Sequence, residues 1–226
     1  GMGGEAVVST YLEDHQEQIS FRYPTFKMAL TLLENHQGRR LVETGTIRME
    51  NDWGAGCSTL IFGEYCKAHD ARLVTVDNTH NHLEIAKKLT ADYAEWIEYV
   101  EADSLEYLKS LEPHSVDLLY LDSFDYPYGE LLNIYGGQVD VHSAMQVLAE
   151  LGDDEIFKRH TEIVLPCQLH CAREVQAAFH ALHEDSIILI DDANIPGGGK
   201  PRIARQLLSE MGWTELMKDQ QTLWER

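Results

Sequence analysis

Five short apolar runs in this 226-residue chain each lead into an acid. Arg40–Thr44 carries Glu43, Arg72–Asp77 ends at Asp77, and Ile97–Ala102 leads into Asp103. Val116–Leu121 delivers Asp122, and Ser186–Ile190 delivers Asp191 and Asp192. Such short runs, rich in Val, Ile and Leu, read as buried strands. Stretches of helical period separate them, which predicts alternating strands and helices around a parallel sheet. Ligands of open sheets of this kind bind outside the carboxyl ends of the strands. The acids are therefore expected to line one crevice.

The stretch Leu41–Thr59 predicts a strand, a small-residue turn and the start of a helix. Gly45 leaves the strand without a Cβ to obstruct a ligand, and Thr46 follows it. Residues 47–53 read as an inserted loop. Gly54, Gly56, Ser58 and Thr59 then open a helix whose free N–H groups suit an anionic group. The pattern lacks the third glycine of GxGxxG, so alone it describes a tight strand–helix turn equally well. Asp77 is placed to accept both hydroxyls of a ribose. Asp103, followed by Ser104, reads both as a helix cap and as a partner for an adenine amino group, and the two roles are compatible.

After the fourth run comes Asp122-Ser123-Phe124-Asp125-Tyr126-Pro127-Tyr128. Two carboxylates and two tyrosines behind a buried strand point to a site rather than to core. Residues 129–166 read as a helical insertion, with helices over 141–151 and 154–164 and a further helix over 168–183. Cys167, His170 and Cys171 on that helix lack the paired CxxC units of a zinc centre. Gly197–Gly199, ahead of Lys200, read as a mobile rim loop, and 213–226 as a hairpin turning about Asp219–Gln220. Phe26, Leu30 and Leu33 recur at helical spacing, so residues 1–39 form an N-terminal helical extension that covers the main domain, 40–226.

Charge narrows the function. With 18 Lys+Arg against 38 Asp+Glu the net charge is −20, which argues against nucleic acid or an anionic membrane as partner. No apolar run approaches the roughly 20 residues of a membrane span. No leader is apparent, and the irregular cysteines Cys57, Cys66, Cys167 and Cys171 read as reduced thiols, so a cytoplasmic protein is expected.

In this order the motifs resemble those of the class I S-adenosylmethionine-dependent methyltransferases, over roughly 40–226. The resemblance implies a Rossmann-like, doubly wound, mostly parallel seven-stranded α/β sheet with an antiparallel C-terminal hairpin. It implies S-adenosylmethionine as cofactor, held by Glu43, Gly45, Thr46, Gly56, Ser58, Thr59, Asp77, Asp103, Ser104 and Asp122. A narrower similarity is to metal-dependent O-methyltransferases acting on catechols or sugars, carried by Leu121–Tyr126 and Ile190–Gly197. It implies one Mg²⁺ on Asp122, Asp191 and Asp192, and a small-molecule hydroxyl as methyl acceptor. The catechol enzymes have a lysine three residues after the fourth-strand aspartate, where this chain has Asp125. Asp122 or Asp125 then takes the proton, or the metal makes a separate base unnecessary. A metal-independent methyltransferase of a nitrogen or carbon acceptor and a non-catalytic cofactor-binding protein are the alternatives. A nicotinamide-dependent oxidoreductase is disfavoured by the missing GxGxxG. A homodimer is compatible with the sequence, which does not fix the oligomeric state.

Overall fold

The computed structural model describes residues 9–54, 57–137, 154–195 and 197–226, with scattered positions between 140 and 152. Gly56, Pro196 and much of the helix expected over 141–151 lie outside the described residues. The strands are β1 (Arg40–Thr44), β2 (Arg72–Asp77), β3 (Ile97–Glu101), β4 (Val116–Leu121), β5 (Leu182–Ile190), β6 (Thr214–Lys218) and β7 (Thr222–Glu225). They form one seven-stranded sheet in the order β3-β2-β1-β4-β5-β7-β6. The first five run parallel, and β7 is antiparallel to both β5 and β6. This is the doubly wound sheet with a terminal hairpin that the sequence predicts.

Register brings the strand ends level. Thr44 pairs with Val76 on one side and Leu121 on the other, and Leu121 pairs with Ile190. The chain leaves β1 toward β2, while β4 flanks β1 on its other edge. That reversal of strand order opens a crevice between the two.

Alternation along the strands splits the core into two layers. Leu41, Leu73, Leu118, Tyr120, Ile187 and Leu189 face α3 (Tyr23–Asn35) and α4 (Cys57–His69). Val42, Leu119, Leu121, Ile188 and Ile190 face α6 (Ser104–Ser110), α8 (Asp154–Ala178) and α9 (Arg202–Glu210). Helix α3 starts with Pro24 in its first turn and buries Phe26, Ala29, Leu30 and Leu33. These sit in the same apolar cluster as Phe62 and Tyr120, so the N-terminal helices share the core of the sheet. Short helices α1 (Thr10–Asp14) and α2 (Gln16–Ile19) precede α3, with α5 (His80–Leu89) and α7 (Tyr128–Ile134) between the strands.

One expectation about the insertion is corrected. The helices placed at 154–164 and 168–183 are a single 25-residue helix, α8, with Pro166 inside it. A proline in a helix interior costs about 3 kcal/mol. Val164, Cys167, Cys171, Val175 and Ala178 form one buried stripe along α8. Each fully buried aliphatic side chain contributes about 1.5–3 kcal/mol, which exceeds the local penalty. The helix ends at Ala178, and β5 begins at Leu182, earlier than the sequence pattern places it.

Candidate functional site

A polar groove lies over the β1/β4 crevice. Its two lobes share Gly45, Asp77, Asn78 and Ser123. The first lobe adds Val76, Ala102, Asp103, Ser104, Phe124 and His170. The second adds Thr46, Arg48, Asp52, Asp122 and Asp125. Strand register explains this convergence: each acid follows a strand that ends at the same level of the sheet.

Gly45 has φ +85°, a conformation that favours glycine, and an added Cβ would stand 2.3 Å from the Asp122 carbonyl oxygen. The turn after β1 therefore packs directly on the turn after β4. Asp77 Oδ1 accepts from the Thr79 N–H at 2.8 Å and lies 3.1 Å from His82 Nδ1. Its Oδ2 has only a long 3.5 Å contact with the Thr46 N–H, which leaves acceptor capacity toward the groove. Among the described residues the buried Thr46 hydroxyl has no hydrogen-bond partner. An unpaired hydroxyl and an under-used carboxylate oxygen in one groove fit a polar nucleoside ligand, with Ala102 and Phe124 as apolar wall. Asp103 caps α6 by accepting from the Glu106 N–H at 3.1 Å and lines the first lobe as well.

Glu43, Ser58 and Thr59 do not line the groove. Glu43 is fully buried and accepts from the hydroxyls of Ser58, Thr59 and Thr75. Burial pushes its carboxyl up to about 7 against the pull of these donors. The side chain faces inward between β1, α4 and β2, and the Thr59 hydroxyl also accepts from the Ile47 N–H at 3.1 Å. These residues support the turn after β1 from behind.

Asp122, Asp191 and Asp192 come together at the ends of β4 and β5, with one carboxylate oxygen of each lying within 4.8 Å of the others. Two cations already serve this cluster. Arg22 donates through Nε to Asp191 Oδ1 at 2.7 Å and through Nη2 to Oδ2 at 3.2 Å, and Nη2 lies 3.7 Å from Asp192 Oδ1. Lys200 Nζ is 3.0 Å from Asp122 Oδ1 and 3.7 Å from Asp192 Oδ2. Burial raises the Asp122 carboxyl well above the usual range, with Lys200 opposing. Asp192 is pushed to about 6 by burial and Asp191, against Lys200 and Arg22. Burial disfavours the Lys200 charge, but the three aspartates outweigh it and raise its pKa. Carboxylate oxygens are the right donors for Mg²⁺, but here both oxygens of Asp191 accept from Arg22, and Lys200 Nζ stands beside an oxygen of each of the other two. In this arrangement two side-chain cations are paired with the acids on which Mg²⁺ was expected.

Asp125 is largely exposed, and its carboxylate pairs with Arg48 Nη1 at 3.1 Å. Tyr126 and Tyr128 stand with ring centroids 4.9 Å apart. Burial raises both phenols, and the charge of nearby Asp192 adds to it. The Tyr126 hydroxyl is buried and has no hydrogen-bond partner among the described residues. On the other lobe, His170 Nε2 lies 3.2 Å from Ser104 Oγ and 3.0 Å from Ser123 Oγ. One turn on, Glu174 is buried, 3.7 Å from the same ring nitrogen. Arg22, Arg48, His170, Glu174 and Lys200 were not among the site residues read from sequence. Only Lys200 carried a local signal, its place directly after the glycines that follow Asp191-Asp192.

Solved methyltransferase structures share this fold. The chain covers 100% of itself and 92% of cofactor-bound Rv0187 from MTB, with TM-score 0.56 and 17% identity. A methyltransferase from Geobacter sulfurreducens matches over 100% of this chain and 90% of its own length, at TM-score 0.51 and 15% identity. The SAH-bound methyltransferase PaMTH1 of Podospora anserina matches over 96% and 87%, at TM-score 0.51 and 15% identity. More particularly, residues 52–135 match the family model described as a methyltransferase domain. No curated protein sequence matches the chain. Among the described residues no helix is long and apolar enough to cross a membrane.

Proposed function

We propose that the chain is an S-adenosylmethionine-dependent methyltransferase acting on a hydroxyl of a small molecule. The observation that carries this reading is the convergence of Asp77, Asp103 and Asp122 on one groove over the β1/β4 crevice. Bound there, the cofactor supplies an electrophilic methyl group on a sulfonium. Asp77 accepts the ribose hydroxyls, and Ser104 with Asp103 and Phe124 frames the adenine. Gly45 and Thr46 line the methionine end, where Arg48 offers a cation for its carboxylate.

In methyl transfer the acceptor oxygen forms a bond to the methyl carbon as the carbon–sulfur bond breaks in line. Positioning supplies much of the rate of such a step. The hydroxyl proton needs an acceptor within reach. Asp122, which lines the groove and is held by Lys200, suits that role better than exposed Asp125, which is paired to Arg48. Tyr126 and Tyr128 form an aromatic wall beside the acid cluster, and the unpaired Tyr126 hydroxyl favours an acceptor with its own polar group.

The test is methyl transfer from labelled S-adenosylmethionine to a panel of phenols and sugars, with calorimetric binding of S-adenosylhomocysteine alongside. Binding together with transfer to an oxygen acceptor is the expected result. Absence of cofactor binding overturns the reading. Transfer confined to nitrogen or carbon acceptors overturns the hydroxyl assignment alone.

A further inference from the structure

We propose that Lys200 is a tethered cation standing in the position a divalent ion would take among Asp122, Asp191 and Asp192, so that this acid cluster works without a metal. The ammonium lies between two of the three carboxylates, and the Arg22 guanidinium closes off the third. Mg²⁺ needs near-octahedral oxygen ligation at about 2.0–2.1 Å. The ammonium beside Asp122 and Asp192 takes the space that such an ion and its waters would need.

Lys200 is built in rather than resting there. It is 2% exposed. Its backbone is pinned from two sides. The Gly199 carbonyl accepts from Gln168 Nε2 at 2.9 Å, and the buried Gln168 is itself held by the Arg202 guanidinium through its Oε1 at 3.2 Å. An added Cβ on Gly199, at φ +60°, would stand 1.8 Å from the Asp192 carbonyl oxygen, so the loop lies directly against the end of β5. To admit a metal, the ammonium would have to leave its counterions through packed protein, and an unpaired buried charge is costly.

Charge balance favours the same assignment. Three carboxylates meet two cations, so the fully ionised set carries one negative charge next to the groove. That charge complements a sulfonium. A divalent ion in place of the ammonium would leave the fully ionised set neutral and remove that charge. Lys200 is thus a positioning residue: it fixes Asp122 and Asp192 and sets the sign of the field at the methionine end. This last consequence rests on the proposed methyltransferase reading, whereas occupation of the metal position does not.

The experiment titrates Mn²⁺ into the full chain, with free Mn²⁺ followed by electron paramagnetic resonance. The wild type is expected to bind no Mn²⁺ at the cluster and to melt at the same temperature in chelator and in millimolar Mn²⁺. Lys200→Met should gain one Mn²⁺ site, roughly 100-fold or more tighter than any wild-type binding. Adding Asp122→Asn to that variant should remove the site. One Mn²⁺ per wild-type chain, lost in Asp191→Asn/Asp192→Asn, overturns the proposal. So does a folded Lys200→Met that gains no site. Lys200→Gln serves if the methionine variant fails to fold. S-adenosylhomocysteine binding in chelator is measured separately, and its failure would sink the functional reading while leaving the metal result intact.

Discussion

Arg22 chelates Asp191, with Nε at 2.7 Å and Nη2 at 3.2 Å from its two carboxylate oxygens, across 169 residues of sequence. The pair ties the N-terminal helices to the end of β5 and so to the candidate site. Asp191 is fully buried. Removing the guanidinium strands a buried charge, which costs about 3–5 kcal/mol. Arg22→Ala should therefore lower the melting temperature by about 6–20 °C, taking about 2–4 °C per kcal/mol for a chain of this size. Asp191→Asn in the same chain should recover much of the loss, as read by calorimetry of the double-mutant cycle.

The turn after β1 tolerates only glycine. Gly45 combines φ +85° with a backbone oxygen 2.3 Å from where a Cβ would stand. Backbone cannot yield as a flexible side chain does. Gly45→Ala should cost on the order of 2–4 kcal/mol and disturb Asp122 with it. Thermal melts and S-adenosylhomocysteine affinity should both fall; unchanged values for both would refute the packing described.

Glu43 sets a pH dependence. Burial holds its carboxyl at about 7, above the ordinary 4.5. Below pH 4.5 the folded and unfolded chains both carry the proton. As pH rises from 4.5 to about 7 the unfolded chain ionises first, so stability falls, and above 7 the loss is constant. The whole swing is about 3 kcal/mol. Glu43→Gln should flatten the curve across that window, which denaturant melts at several pH values would reveal.

Asp77 should decide cofactor affinity. Its Oδ1 is engaged by the Thr79 N–H, whereas Oδ2 is nearly free. Charge-assisted hydrogen bonds of the kind it would make to a ribose are worth about 1.5–3 kcal/mol. Asp77→Asn should weaken S-adenosylhomocysteine binding by about 10–150-fold in calorimetry with the melting temperature nearly kept. Equal affinity in the variant would remove Asp77 from the site.

Sequence alone determined most of the strands and the end of the sheet at which the acids gather. Those features are local: apolar runs of strand length, acids placed just after them, and a hairpin at the tail. A residue's position along its strand follows from its neighbours in sequence. Which way Glu43 faces, and that Ser58 and Thr59 turn toward it rather than toward the groove, depended on α4 packing over β1. The continuity of α8 through Pro166 was also a tertiary outcome, because burial of its stripe, against Tyr126, Leu131 and Ile195 at one end and the sheet at the other, outweighs a local penalty. Above all, the partners of the acid cluster could not be read along the chain. Arg22 and Lys200 reach Asp191 and Asp122 across 169 and 78 residues. A charge pair depends on distance in space, and folding alone sets that distance.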